Sequence, residues 1–158
     1  MAKIKLSPTV FNSPFELGIR MVYILSGLYP RGADLQKLVM LDFLVIYSGD
    51  FEGPRSLHTP VPQRNAEFLN RRELIRAGLH LMSTRGLVDV VLSADGVTYS
   101  AGDNSRSIVG SLGSNYALML ADRCSWAAMK YGSLGGAELA DLLVNSNKRW
   151  SAEMDLFS

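Results

Sequence analysis

The stretch that most constrains this chain is Leu35-Gln36-Lys37-Leu38-Val39-Met40-Leu41-Asp42-Phe43-Leu44-Val45-Ile46, which is apolar on nearly every side when wound as a helix. A helix without a polar face has to be enclosed by other elements, so the fold must be built around this segment, read as a helix from about Asp34 to Tyr47. Its most apolar run, Leu38 to Tyr47, is about half the length of a membrane span and holds Asp42, which places it in a protein core. The 158 residues are enough for one domain, or one domain with a helical extension, to bury such a core.

The remaining elements follow from local signals. Ser13-Pro14-Phe15-Glu16 is a capping-box signature with proline at the first helical position. It opens a helix whose apolar residues Leu17, Met21, Ile24, Leu25 and Leu28 recur at helical spacing until Tyr29-Pro30-Arg31-Gly32 stops it. A Gly/Pro-rich connection runs from Ser48 to Pro62, long enough to suggest a functional or partner-ordered loop. A third helix is expected from about Arg64 to Thr84. The clearest short-range signal is a hairpin: Leu87 to Leu92, the turn Ser93-Ala94-Asp95-Gly96, then Val97 to Ser100. Ala101 to Ser107 reads as a turn-rich joint. Two helices follow, about Ser114–Tyr131 and Gly136–Phe157, the last with an apolar stripe of Leu139, Leu143, Trp150, Met154 and Phe157.

This pattern is mainly α with one β-hairpin: a winged helix-turn-helix-like domain plus a C-terminal helical pair. The expected division is an N-terminal arm over 1–12, the winged-helix-like domain over 13–106 and a helical extension over 107–158.

Chemistry is hard to find in it. The two histidines, His58 and His80, and the one cysteine, Cys124, make no zinc-binding cluster, and a lone cysteine fits a reducing compartment. Gly110-Ser111-Leu112-Gly113 and Gly132-Ser133-Leu134-Gly135 lack the lysine and hydroxyl of a phosphate-binding loop. Asp50 and Glu52 are expected to be solvated loop acids, and nothing near His58 in sequence offers a nucleophile. No catalytic residue, metal, cofactor or small-molecule substrate is expected. Behind Met1-Ala2-Lys3-Ile4-Lys5-Leu6 there is no apolar run of the kind that makes a secretory signal, so a cytoplasmic protein with no membrane contact is expected.

Charge by segment says more than the net +1. Residues 1–54 balance at zero, residues 55–85 carry +4 and residues 86–158 carry −3. All six bases of the middle segment are arginines (Arg55, Arg64, Arg71, Arg72, Arg76, Arg85), suited to forked contacts with phosphate or carboxylate. In a DNA-reading winged helix this segment would hold the recognition helix. The hairpin argues against DNA, because it carries Asp89 and Asp95 and no Lys or Arg.

At about 100° per residue, Phe68, Ile75, Leu79 and Met82 share one face of the third helix with Arg71 in its middle, and Arg72 and Arg76 lie on the flank. Asp42 likewise falls among the apolar residues of the second helix. A charge on an apolar face needs a partner, so Asp42 and Arg71 are expected to form a partly buried ion pair, with Glu67 as a rival. Arg64, Arg72, Arg76 and Arg85 remain as contact candidates, although Arg76 could simply pair with Glu73. Trp150, Met154 and Phe157 are candidates to dock into a partner, or else they pack on the chain's own helices.

Taken in order, Phe11-Asn12-Ser13-Pro14-Phe15-Glu16, Leu41-Asp42-Phe43-Leu44-Val45 with Ser48-Gly49-Asp50, Gly53-Pro54, Ser56-Leu57-His58, Phe68-Leu69-Asn70-Arg71-Arg72-Glu73-Leu74-Ile75, Gly78-Leu79 and Arg85-Gly86-Leu87-Val88 resemble the middle component of bacterial ABC-three-component systems, the small subunit of Lamassu-type antiphage defence complexes. The likeness covers the chain to about Trp126 and weakens beyond. It implies a non-catalytic adaptor that binds an SMC-like ATPase and an effector subunit, often a nuclease, with contact to DNA possible through the complex. It carries over no catalytic residue. The competing expectations are a stand-alone winged-helix transcription regulator and, more distantly, a small hydrolase built around His58.

Overall fold

The computed structural model describes residues 13–58 and 64–146, leaving aside the side chains of residues 64–69, 144 and 146. The described elements are α1 (Pro14–Leu28), α2 (Leu35–Ile46), a 3₁₀ turn (Ser48–Phe51), α3 (Arg64–Ser83), β1 (Val88–Ser93), β2 (Gly96–Ala101), α4 (Ser105–Val109), α5 (Asn115–Tyr131) and α6 (Gly136–Ser146). The architecture is mainly α with one antiparallel hairpin, as the pattern predicts. The short α4 was not expected. Its five residues are fewer than a helical apolar repeat needs to show, and they fall partly in the stretch from Ala101 to Ser107 that reads as a turn-rich joint.

Three of the helices, α1, α2 and α5, start where a capping residue stands. Ser13 Oγ accepts from the Glu16 N–H at 3.1 Å, Asp34 from Lys37 N–H at 2.8 Å and Ser114 from Ala117 N–H at 3.1 Å, which satisfies amide groups that the first turn leaves open. At the far end of α5, the Lys37 ammonium donates to the Gly132 carbonyl at 2.6 Å. A cation there meets the negative end of the helix dipole.

The core is layered around α1 and α2. From Lys37 to Ile46 every residue of α2 is buried, which is the enclosure its composition demands. Around the pair lie α3, α5 and α6, with Ile75, Leu79 and Met82 from α3, Leu120 and Cys124 from α5, and Leu139 and Leu143 from α6 joining one continuous core. Among the described elements α1 packs most extensively on α3. The two backbones meet at Gly18 and Gly78, where a Cβ on Gly78 would lie 2.6 Å from both Gly18 N and Pro14 O. Only glycine permits that approach.

The hairpin closes through a two-residue Ala94-Asp95 turn with Ser93 paired to Gly96, whose φ of +120° suits glycine. Its base is tied to the body. Val88 is buried, and Tyr99 exchanges two 2.8 Å backbone hydrogen bonds with Ala33. Its outer half stands away from the core.

Candidate functional site

The arrangement with the most chemistry lies where α1, α2 and α3 meet. Asp42 is wholly buried and accepts from two arginines. Arg20 makes a forked contact, Nε to Oδ1 at 2.9 Å and one terminal nitrogen to Oδ2 at 3.0 Å, and Arg71 reaches Oδ2 at 2.8 Å. The expected Asp42–Arg71 pair is therefore present, but it is two-thirds of an Arg20–Asp42–Arg71 node. Arg20 and Arg71 are 0% and 2% exposed. The Arg71 guanidinium also lies over the Phe43 ring, 4.6 Å from its centre, which covers the charge with an aromatic face.

Burial alone would raise the Asp42 carboxyl, but the two guanidiniums more than reverse this and hold it below its ordinary value. Two cations against one anion leave an excess, and Glu16, one turn before Arg20 on α1, lies close enough to offset it. Burial raises the Glu16 carboxyl, while Arg20 and a hydrogen bond with Tyr116 work in the opposite direction.

The described part of the Gly/Pro-rich connection, through His58, reaches the neighbourhood of this node. It is held by the chain itself. The Ser48 hydroxyl donates to the Pro54 carbonyl at 2.7 Å, Ser56 Oγ accepts from Gly49 N–H at 2.9 Å, and the Arg123 guanidinium of α5 clamps the Arg55 carbonyl at 2.7 and 3.0 Å. Gly53 lies flat against the Trp126 indole, where any side chain would collide with the ring. These bonds set His58 Nε2 3.0 Å from the Tyr116 hydroxyl, a partner 58 positions away.

The pair is not an activated one. Burial, then the nearby Arg20 charge, lowers the His58 imidazole to about 4, and burial pushes the Tyr116 phenol up to about 12. A weak base beside a weak acid leaves the proton on tyrosine, so the contact is a neutral hydrogen bond that seats the loop. Burial also raises the Cys124 thiol, which favours the inert, protonated form.

The other residues singled out from sequence are spread along α3 and beyond. Arg64 opens α3, with its side chain outside the described set. Arg72 is half-buried, while Arg76, Arg85 and His80 are exposed. Arg76 meets Glu73 at 3.5 Å, the solvated pair that its spacing allows. Glu67 has no described side chain, and Trp150, Met154 and Phe157 lie outside the described residues, as does the arm over 1–12. Arg20 escaped the sequence reading although its signal was there: it falls three residues after Leu17 and four before Ile24, inside the apolar stripe. His58 with Tyr116, and Arg123 with the Arg55 carbonyl, are tertiary meetings with no local signal.

Among the described residues, no group of three or more His, Cys, Asp or Glu is placed to hold a metal ion, and no helix is long and apolar enough to cross a membrane.

Fold and site together define a small helical module whose most distinctive charged groups are turned inward on one another while a hairpin projects outward. A family model described as ABC-three component (ABC-3C) system Middle Component 2 matches residues 10–153. The chain belongs to that family, which is the middle-component membership that the order of its motifs implies. No curated protein and no solved structure matches it.

Proposed function

We propose that this chain is a non-catalytic cytoplasmic adaptor in a Lamassu-type antiphage defence complex, where it binds an SMC-like ATPase and helps couple DNA sensing to a nuclease-type effector. Membership of a middle-component family supports a role alongside other subunits. The observation that carries the reading is how the side chains are used. Arg20 and Arg71 both direct hydrogen bonds to Asp42 in the interior, and His58 and Tyr116 hold each other in a neutral contact. The surface offers aliphatic residues on a projecting hairpin, the kind of surface that recognises a protein. Within this reading, residues 13–106 are the winged-helix-like unit, 107–158 its helical extension, and Trp150, Met154 and Phe157 a further contact.

A stand-alone DNA-binding regulator is the second reading, and the exposed Arg76 and Arg85 favour it. The acidic hairpin opposes it, since Asp89 and Asp95 would face phosphate. Co-expression with the ATPase and effector subunits that the adaptor reading expects, followed by size-exclusion chromatography, separates the two. The adaptor reading expects a defined co-eluting complex and only weak binding of duplex DNA by the isolated chain. Sequence-specific DNA binding by the isolated chain, falling steeply with salt and without any complex, would establish the regulator instead.

A further inference from the structure

The hairpin is only half covered. Antiparallel partners share a face, so Val90, Leu92, Val97 and Tyr99 lie on one side and Asp89, Val91 and Thr98 on the other. Val90, Val91, Leu92 and Val97 are 45%, 50%, 79% and 40% exposed. Beside the first face a groove of about 460 Å³ opens toward α3, lined in part by Arg76, Ala77, His80, Val90 and Tyr99.

The two outer backbone edges differ, since that of β2 is tied to the body at Tyr99. Tyr99 turns its N–H and C=O outward from β2 to Ala33, which makes Tyr99–Val90 a pair not hydrogen-bonded within the hairpin. By alternation, Val90 and Leu92 turn their N–H and C=O groups outward from β1, where no further strand or bridge is found among the described residues. An exposed aliphatic edge of this kind is a template for another strand.

Charge decides which strand fits. From Gly86 to Ser105 the chain carries Asp89, Asp95 and Asp103 and no Lys or Arg. A second copy of β1 would add an acid and no compensating cation. An incoming strand with Lys or Arg opposite Asp89 would form a close opposite-charge pair, because Asp89 is hydrogen-bonded to β2 and therefore stands at a non-hydrogen-bonded, closely spaced position on the outer edge.

We propose that β1 receives an extended segment of a partner subunit by strand addition, an alternating aliphatic segment carrying Lys or Arg that pairs with Asp89. This rests on the adaptor reading and adds the surface and the mode of contact.

The test uses the full chain with its co-expressed ATPase component. Residue-resolved hydrogen exchange is expected to show the Val90 and Leu92 amides exchanging freely in the isolated chain and protected in the complex. The inward amides of Asp89 and Val91 should be slowed in both. Asp89→Lys should weaken capture of the ATPase about tenfold or more, and Asp89→Asn by less. Val90→Pro removes an outward donor without breaking a bond of the hairpin, so it should also weaken capture while circular dichroism stays unchanged. A complex that forms with Val90 and Leu92 still unprotected, or that tolerates Asp89→Lys, overturns strand addition and leaves the adaptor reading intact. A chain that captures no ATPase at all overturns both, and self-association through β1 overturns the choice of occupant.

Discussion

The buried node and the hairpin invert the usual partition of side chains. At the node, three charged residues are between 0% and 2% exposed, while on the hairpin four aliphatic residues are between 40% and 79% exposed. Both arrangements go against solvation alone, and each is tolerated for a different reason. Inside, Asp42 answers both arginines with short hydrogen bonds, and the aromatic cover of Phe43 and the nearby Glu16 offset what remains. Outside, nothing among the described residues covers Leu92. The node specifies how α1, α2 and α3 meet, and the hairpin is left to meet something else.

The comparison is most easily broken at the node. Asp42→Ala strands two buried guanidiniums, and chemical denaturation should show a loss of about 3–5 kcal/mol. Unchanged stability would mean that the node braces nothing. A sharper version replaces all three residues, Arg20→Met with Asp42→Leu and Arg71→Met. This triple variant should lose less than Asp42→Ala alone, because it leaves no buried guanidinium stranded.

Acid gives the next largest effect. The His58 imidazole titrates lower in the folded chain than in the unfolded one, so the unfolded chain takes up the proton first. Its contribution is complete above about pH 6.5 and is lost as pH falls from there toward 4, an effect on the order of 2 kcal/mol after allowing for partial exposure. Asp42, held below its ordinary value, adds a second loss only below about pH 4. Unfolding midpoints measured across pH 4–7 should therefore slope in wild type and flatten in His58→Gln. The smallest effect belongs to the exposed pair: Arg76→Ala should change stability by less than about 0.5 kcal/mol.

Much of this was legible in the sequence, and the limits are physical. The enclosed α2, the cap at Ser13 and the Asp-Gly hairpin are local, so residues close in sequence determine them. Asp42 and Arg71 could be matched because each is a single charge on an otherwise apolar helical face. Arg20 met the same criterion and was missed, because a stripe assembled from apolar positions passes over the charged residue within it. His58 and Tyr116 are brought together by the packing of a loop on α5, and nothing in either neighbourhood encodes the other. The exposure of Val90 and Leu92 was equally hidden: alternation implies a face, but not whether the molecule covers it.

The most direct test of the division between bracing interior and recognising hairpin is ATPase capture by the double variant Val90→Thr and Leu92→Thr, with its unfolding midpoint measured on the same sample. Threonine keeps the strand and removes the aliphatic surface. The account predicts a stability change within about 0.5 kcal/mol at each exposed position and capture reduced about tenfold. Full capture by a variant of unchanged stability would contradict it.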